Sequence, residues 1–393
     1  MNILHISPYF PELGTNHAGG VCMGKEIETL RTWHQVYVLT FAASGFDRKL
    51  KEKYRDDSRY DTVAINRWTR LFHVIAAPWM PNYFAARSSF RFAWKLIWAV
   101  RRHKIDVIHG EYASMGQYLW IKKLYPHIKF NLVEHDMTAQ SYQRKLRDSR
   151  GWRRAYVGWQ LERILKKEKQ YCLKADNIFV FNQKDRRLIE KHYGRKDCKV
   201  MNLFLGIGDD ILERAVDTEK QEPGSICFLG QMGRPENHQA AMKLVRIAKR
   251  VRERVPELQV YIVGNQPSEE LKREGNDFIH VTGFVDDVDE YLERAQMAVF
   301  PLEQGAGIKM KVLRSLAMGT MVITTVVGAE GIDEEGKVIE LAETDEEFAD
   351  RIERYLGKPE LTEEKGNKSR EYIREHFGWK VSEKVLEEVY GKG

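Results

Sequence analysis

Two glycines and then two lysines occupy every second position of the segment GAGIKMK, residues 305–311. The segment follows a short apolar stretch and leads into a predicted helix. Gly305 and Gly307 would let the backbone approach a bound group closely, because glycine has no Cβ. Lys309 and Lys311 would stand in the first turn of that helix, where free N–H groups and the helix dipole attract negative charge. The segment therefore predicts a seat for a phosphate or diphosphate. The alternative is an ordinary strand–helix–strand unit of a parallel sheet with solvated lysines.

The wider pattern around this segment is more specific. Residues 301–319 read PLxxGxGxKxKVLxxLAxG, and residues 322–331 read VxxTxxGxEG. This order of motifs resembles the nucleotide-binding core of GT-B glycosyltransferases of the large retaining family 4, and the resemblance extends more loosely over nearly the whole chain. It implies that the loop and a helix N-terminus at Gly307 hold the diphosphate of a sugar nucleotide. The residues implied to contact the donor are Gly307, Ile308, Lys309, Lys311 and Arg314, with Lys309 also acting in catalysis.

Two positions in this segment depart from the family pattern. Family members usually carry two glutamates across the loop, separated by seven residues, and the second one binds the nucleotide ribose. Ala306 and Arg314 occupy those positions here. The first glutamate is often absent from members with the G-x-G-x-K pattern, whereas loss of the second is less usual. Either Arg314 contacts the nucleotide differently, or the donor is atypical, or the chain binds without transferring sugar.

His135 directly follows a predicted buried strand at residues 130–134. Ligands of open α/β sheets bind beyond the carboxyl ends of the strands, so this histidine stands where a ligand is expected. The resemblance implies that it reaches the sugar donor near the reacting carbon and acts in catalysis. A structural histidine held by hydrogen bonds is the alternative. His109 and Glu111, at the end of a neighbouring predicted strand, are weaker candidates.

Three further loops supply candidate donor contacts where predicted strands end. The first precedes a helix predicted to start near Val21, and the others follow predicted strands at residues 225–229 and 258–263. The resemblance implies a glycine pair beside the donor diphosphate in the first loop and an arginine on the phosphates in the second. The candidate residues of the three loops are Gly19, Gly20, Gly230, Arg234 and Gly264.

An acidic cluster follows the predicted strand at residues 279–285. Asp286, Asp287 and Asp289 could ligate a metal ion, but carboxylates at the start of a helix are also good caps. We therefore predict no metal site. The resemblance implies that the backbone of this loop, at Val285, contacts the nucleotide base.

The chain length favours two domains, since 393 residues are too many for one core. Predicted strands and helices alternate, as in α/β proteins. The resemblance implies GT-B architecture, with two doubly wound Rossmann-like domains facing a central cleft. The N-terminal, acceptor-binding domain is predicted at residues 1–205, joined by a final helix at 376–393 that crosses back to it. The nucleotide-sugar-binding domain is predicted at residues 206–375.

Charge is divided unevenly along the chain. Residues 1–200 hold 37 lysines and arginines against 19 acidic residues, or +18, and the remaining residues hold 26 against 38, or −12. The first half is thus predicted to face an anionic partner, such as lipid headgroups, a polyprenyl phosphate or a phosphorylated polymer. A solvated basic surface is the alternative. Nucleic acid is not predicted as a partner, because no recognised binding motif accompanies the charge.

Aromatic and basic residues are mixed in two segments of this half, residues 72–92 and 141–170. One interpretation is an exposed lip and an amphipathic helix lying on an anionic membrane. The other buries the aromatic side chains in the domain core. No apolar run approaches the ~20 residues that span a bilayer, and no signal peptide is recognised. The four scattered cysteines predict free thiols, so we expect a cytoplasmic protein at the inner face of a membrane.

Together these features predict a retaining, metal-independent glycosyltransferase without a cofactor. Its donor would be a UDP- or GDP-type nucleotide sugar. Its acceptor would be lipid-linked or a polysaccharide, in cell-surface polysaccharide or glycolipid assembly. The rival hypothesis is a non-catalytic GT-B-like subunit that docks on a membrane or supports a partner transferase. A GT-B epimerase is a third option, but it would leave the basic first half unexplained.

Overall fold

The computed structural model describes residues 1–13, 18–43, 45–201, 211–212, 220–305 and 308–392. The chain divides into two compact units. The first comprises Met1–Gly206 together with Trp379–Gly393, and the second comprises Ile207–Gly378. Among the described residues, no helix is both long enough and apolar enough to cross a membrane.

The first unit is built on one parallel sheet flanked by helices. Its strands are β1 (Asn2–Ser7), β2 (Gln35–Ala42), β3 (Tyr60–Ala64), β4 (Val107–Glu111), β5 (Lys129–Glu134), β6 (Asn177–Val180) and β7 (Lys199–Val200). Its helices before residue 206 are α1 (Ala18–Trp33), α2 (Gly45–Lys53), α3 (Arg67–Ala76), α4 (Asn82–Ala85), α5 (Phe90–His103), α6 (Ile121–Leu124), α7 (Thr138–Arg147), α8 (Gly151–Lys174) and α9 (Gln183–Tyr193), with a 3₁₀ helix at Ala113–Trp120.

The strand order of this sheet is β3-β2-β1-β4-β5-β6-β7. The order reverses between β1 and β4, which pair in parallel with Ile3 opposite Val107. Such a reversal leaves a crevice at the carboxyl ends of the two strands, where doubly wound sheets bind ligands. β1, β4 and β5 are almost wholly buried, as expected for strands covered on both faces.

The second unit repeats the plan with a sheet of order β10-β9-β8-β11-β12-β13. Its strands are β8 (Glu222–Leu229), β9 (Gln259–Val263), β10 (Ile279–Gly283), β11 (Ala295–Phe300), β12 (Met321–Thr324) and β13 (Glu340–Leu341). Its described helices of four or more residues are α10 (Pro235–Arg252), α11 (Glu269–Arg273), α12 (Asp289–Arg294), α13 (Met310–Ala317), α14 (Val326–Ala329), α15 (Asp345–Leu356) and α16 (Pro359–Phe377). The two Rossmann-like sheets confirm the predicted fold class.

The last helix, α17 (Trp379–Tyr390), belongs to the first unit. The indole of Trp379 donates to Thr29 Oγ1 at 2.8 Å, and the amide of Asn131 donates to the Tyr390 hydroxyl at 3.0 Å. Both ends of α17 are thereby fixed to the sheet and to helix α1. The predicted return of the final helix to the N-terminal domain is confirmed.

Two predicted elements of the first unit are wrong. The alternation of apolar and polar residues over 63–68 predicts a strand there, but β3 ends at Ala64 and Asn66 caps α3 through a capping box with Thr69. Residues 141–170 are not one helix. They belong to α7 and α8, which are separated by a break where Gly151 adopts a positive φ of 54°.

Candidate functional site

Two glycine turns meet at the carboxyl ends of β8 and β9. Gly264 has φ 143°, and a Cβ added to it would lie 1.7 Å from the carbonyl oxygen of Gly230. The Gly230 N–H donates to the carbonyl of Val263 at 2.9 Å. Because the backbones of Gly230 and Gly264 are in contact, no side chain fits at position 264. We call this closely packed pair of glycine turns the floor.

Lys311 lies over this floor, in the first turn of α13. Its Nζ donates to Asn237 Oδ1 at 2.5 Å and stands 4.7 Å from the centre of the Phe228 ring. The Asn237 amide in turn donates to the carbonyl of Gln231 at 2.9 Å. Asn237 thus holds the ammonium group beside the loop that follows β8.

The pKa of Lys311 is lowered to about 7. Burial is the largest cause, and the neighbouring charges of Lys309 and Arg234 lower it further, while Glu236 opposes them. A lysine surrounded by two other cations and an apolar wall lacks a full counter-charge. An anion placed among these groups would be stabilised by all three.

Lys309 is largely buried, with 9% of its surface exposed, and precedes α13 as its N-terminal cap. Its Nζ lies 3.5 Å from Glu330 Oε2, and its alkyl chain packs against Gly305, where an added Cβ would come within 2.8 Å of Cε. The helix begins at Met310, so the predicted N-terminus at Gly307 is wrong. Extended backbone angles at Lys309, φ −87° and ψ 96°, delay the helix.

The other predicted donor contacts of the second unit occupy different positions. Arg234 caps the N-terminus of α10 with an exposed side chain, Ile308 is half-buried, and Val285 lies in the loop after β10. Arg314 pairs with Asp289 in α12, with Nε 2.6 Å from Oδ1. Gly307 lies outside the described residues. The structure thus brings together Gly230, Gly264, Lys309 and Lys311, with Arg234 near enough for its charge to lower the pKa of Lys311.

In the first unit, His135 follows β5 and is held from three sides. Its Nε2 donates to Glu111 Oε2 at 2.7 Å. Its ring stacks on Tyr112 at 3.8 Å with an interplanar angle of 6°, and Phe181 meets it edge-on at 4.8 Å. These contacts fix both the plane and the tilt of the imidazole.

Glu111 connects His135 to a buried histidine–glutamate network comprising His5, Glu26, His109 and Glu111. Glu111 Oε1 lies 2.9 Å from His5 Nε2 and 3.1 Å from His109 Nε2, and the latter nitrogen is also 2.9 Å from Glu26 Oε2. All four side chains are fully buried. Sequence reasoning ranked His109 and Glu111 as weaker candidates and missed the other two, although His5 stands on β1 beside the reversal of strand order.

Metal binding by this network is geometrically conceivable, since each residue offers one ligand-type atom and these atoms lie within 4.8 Å of one another. Direct hydrogen bonds between imidazole and carboxylate already satisfy the atoms concerned. The network can therefore hold protons among its own groups, although the buried Nδ1 of His5 has no hydrogen-bond partner.

Gly19 and Gly20 lie in the first turn of α1, which begins at Ala18, rather than in the preceding loop. The Glu12 N–H donates to the carbonyl of Gly20 at 3.0 Å. Both glycines are buried, so the incoming loop packs directly on the helix.

Two family models match the amino-acid sequence. Residues 27–206 match the model described as Glycosyltransferase Family 4, and residues 223–358 match the model described as Glycosyl transferases group 1. The first match covers β2 to β7 and the second covers nearly all of the second sheet, and together they span most of the chain. No curated protein sequence matches it.

Several solved structures are similar over almost the whole chain. Sucrose-phosphate synthase from Thermosynechococcus elongatus is 16% identical with a TM-score of 0.65, covering 99% of this chain and 98% of that one. HepE from Anabaena in complex with UDP is 13% identical with a TM-score of 0.67, covering 99% of each chain. A glycosyltransferase from Rickettsia africae is 13% identical with a TM-score of 0.64, covering 99% and 97%. At these identities the similarity concerns the fold. Fold and family models agree, and the chain is a GT-B glycosyltransferase that belongs to group 1, family 4.

Proposed function

We propose that this glycosyltransferase moves a sugar from a UDP- or GDP-type nucleotide sugar to a lipid-linked or polysaccharide acceptor, with retention of anomeric configuration. The observation that carries the proposal is the pair of lysines, Lys309 and Lys311, at the closely packed floor of Gly230 and Gly264. A nucleoside diphosphate that leaves a sugar carries growing negative charge. Preorganised cations and N–H donors stabilise such charge in the transition state.

Lys311 and Lys309 would neutralise the leaving diphosphate without a metal ion. Lys311 suits this task because it is held by Asn237 and by the faces of Phe228 and Phe300, at 4.7 and 5.8 Å, and is not neutralised by a carboxylate at those contacts. The UDP type of donor is supported by similar structures, since HepE has been solved with UDP and with UDP-glucose, and TarM of S. aureus with UDP. His135, on the first unit, would contact the sugar near the reacting carbon.

A membrane-associated acceptor is supported by the surface of the first unit. Helix α3 has no buried residue, and its apolar side chains Trp68, Phe72 and Ile75 are 74%, 63% and 67% exposed. Their spacing of three and four residues places them on one side of the helix. Exposed apolar patches of this kind mark interaction sites. The alternative interpretation places the aromatic side chains of residues 72–92 in the domain core. It is wrong for Trp79, which is 69% exposed, and correct for Phe84, which is buried.

Basic residues accompany these aromatic side chains on neighbouring helices. Trp152 and Trp159 on α8 are exposed, and Arg163 on the same helix donates to the carbonyl of Pro78 at 2.6 Å, which places α8 beside the segment after α3. Aromatic rings with adjacent arginines suit the headgroup region of an anionic bilayer. We propose that the enzyme works there, at the inner face of the membrane.

Thermal unfolding in the presence of nucleotides tests the donor proposal. UDP, GDP, TDP, ADP and CMP are added separately, with and without magnesium. A ligand at 100 times its Kd stabilises the folded state by about 2.7 kcal/mol, so a clear rise in midpoint is expected for UDP or GDP irrespective of magnesium. No rise with any nucleotide would overturn the proposal.

Lys309→Ala and the matched exposed variant Lys337→Ala complete this experiment. The first is expected to reduce the UDP or GDP shift and the second to leave it unchanged, since Lys337 pairs only with Glu335 at the surface among its described ion pairs. Turnover of a nucleotide sugar, with NMR of the product anomer, separates a retaining transferase from the rival non-catalytic subunit. If the protein binds the nucleotide but cleaves no nucleotide sugar, the result supports the non-catalytic subunit.

A further inference from the structure

Glu111 carries more hydrogen bonds than a structural role at the end of β4 requires. Its Oε2 accepts from His135 Nε2 at 2.7 Å, and its Oε1 accepts from both His5 and His109 at 2.9 and 3.1 Å. The residue is fully buried. Three imidazoles therefore converge on one buried carboxylate.

These donors determine the charge of Glu111. Burial alone would raise the pKa of its carboxyl group, but the hydrogen bonds from His109, His135 and His5 outweigh burial and hold that pKa well below its usual range. The pKa of His109 is raised well above its usual value, because Tyr390, Glu111 and Glu26 outweigh the effect of burial. Burial lowers the pKa of the His5 imidazole, against the opposing effect of Glu111. These shifts favour an anionic Glu111 beside a protonated His109, while burial and the charge of Glu111 raise the pKa of Glu26 to about 7.

We propose that Glu111 is a positioning residue for His135, holding its imidazole in the Nε2–H tautomer so that Nδ1 is the ring nitrogen presented to the substrate. An ionised carboxylate accepts hydrogen bonds and donates none, so Nε2 must carry the proton. The inference rests on the proposed role of His135 in sugar transfer.

Tyr112, the residue after Glu111, supports the same orientation. Its backbone has φ 66° and ψ 149°, a conformation that side chains rarely adopt. This conformation places the phenol ring parallel to the imidazole of His135 at 3.8 Å. Strain of this kind persists where the surroundings impose it, and here it accompanies the residue pair that fixes His135.

The network is anchored on its far side by the last helix. His109 Nδ1 is hydrogen-bonded to the Tyr390 hydroxyl of α17, which also accepts from Asn131 at 3.0 Å. His109 is thus oriented by Tyr390, Glu111 by His109 and His5, and His135 by Glu111. Loss of one acceptor in this series changes the proton positions of its neighbours.

Glu111→Gln provides the sharpest test. The amide oxygen is needed on the side of His5 and His109, where two N–H groups donate, so the amide NH2 would face His135. A donor there requires an unprotonated Nε2, and His135 must shift to the Nδ1–H tautomer. Glu134→Gln is the matched control, since Glu134 is also a fully buried glutamate in this unit, and burial raises the pKa of its carboxyl group.

The measurements are steady-state kinetics with the donor and acceptor, and side-chain 15N chemical shifts of the His135 ring, assigned by comparison with His135→Ala. Glu111→Gln is expected to lower kcat about 10- to 100-fold, the effect of losing one well-placed hydrogen bond, with little change in donor KM. Its His135 15N shifts should report the Nδ1–H tautomer, whereas Glu134→Gln should resemble the unaltered enzyme in both measurements.

Three outcomes would overturn the proposal. The first is a kcat that is unchanged in Glu111→Gln but lowered in His135→Ala. That result would keep the role of His135 and remove that of Glu111. The second is an unchanged tautomer. The third is a stoichiometric metal ion in the purified enzyme lost in Glu111→Gln, which would make Glu111 a ligand. Full activity of His135→Ala would instead remove the role of His135 in sugar transfer, on which this inference rests.

Discussion

The guanidinium of Arg314 forms a two-point contact with the carboxylate of Asp289, with Nε 2.6 Å from Oδ1 and Nη2 2.7 Å from Oδ2. Asp289 begins α12, in the segment after β10, and is 6% exposed. A glutamate is usual at position 314 in the family that the chain resembles. Here a cation replaces it and a carboxylate from a neighbouring element lies against that cation. The second unit therefore has an acidic group next to α13 although the family's glutamate is absent.

A double-mutant cycle measures this pair. Arg314→Ala leaves the carboxylate of Asp289 largely buried without its partner, and Asp289→Ala leaves the arginine without its anchor. Because Arg314 is partly exposed, we expect a coupling free energy of about 1–2 kcal/mol in urea unfolding, below that of fully buried pairs. Additive single-mutant effects would show that the contact contributes nothing to stability.

Lys311 predicts that donor binding takes up a proton. Its pKa of about 7 lies well below the usual value, so much of the free enzyme carries a neutral Lys311 at pH 7.5. A bound diphosphate favours the charged form, so affinity should rise as the pH falls from about 8 to 6. Calorimetry with UDP-glucose in buffers of different ionisation enthalpy measures the uptake. This donor has no phosphate that titrates in that range, and Lys311→Met should abolish the pH dependence.

The same residue predicts a slope in stability. The pKa of Lys311 is lower in the folded than in the unfolded protein, so between about pH 7 and 10 the unfolded state binds the extra proton. Stability then rises with pH, by at most about 1.4 kcal/mol per pH unit. The free energy of unfolding is measured at pH 7 and at pH 9, and its increase between the two pH values should be smaller for Lys311→Met than for the unaltered protein. Parallel curves for the two proteins would contradict a lowered pKa.

Gly264 and Gly230 should respond differently to alanine. A Cβ at position 264 would overlap the carbonyl oxygen of Gly230 at 1.7 Å, and the φ of Gly264, 143°, disfavours any side chain. Gly264→Ala should therefore lower the free energy of unfolding by about 4 kcal/mol or more, or prevent the unit from folding. A Cβ at position 230 would meet only side-chain atoms of Asn237 and Lys311 among its nearest contacts, at 3.1 to 3.3 Å. Gly230→Ala should fold and lose nucleotide affinity, because it displaces Lys311.

Urea unfolding and UDP titration of the two variants check this contrast. Gly45→Ala is the control, because a Cβ there has no neighbour within 4 Å. Equal loss of stability in both variants, or undisturbed UDP binding by Gly230→Ala, would contradict the geometry of the floor.

The sequence predicted the two sheets well, because buried parallel strands read as short apolar runs bounded by turn residues. It placed the start of the helix after the lysine loop too early, at Gly307 instead of Met310. It could not predict the pairing of Arg314 with Asp289, since 25 residues separate them and only the packed fold joins them. The histidine–glutamate network was missed for the same reason: His5 and Glu111 are 106 residues apart and meet through adjacent strands. Asn66 and Gly151 show how a local cap or a positive φ ends an element where hydrophobic pattern alone continues it.

If the enzyme docks on a bilayer as proposed, the exposed apolar side of α3 is expected to make the contact. Trp68, Phe72 and Ile75 are exposed and no residue of α3 is buried, so replacing all three with serine should leave the unfolding midpoint nearly unchanged. Each apolar side chain inserted into the interface favours binding in proportion to its buried area, and nearby arginines add attraction to anionic lipid. Co-sedimentation with vesicles containing phosphatidylserine should therefore fall at least tenfold for the triple variant. Phe284→Ser, at an equally exposed site in the second unit, should bind as the unaltered enzyme does. Binding that is equal for anionic and neutral vesicles at low salt would rule out this docking surface, since charge attraction must then be absent.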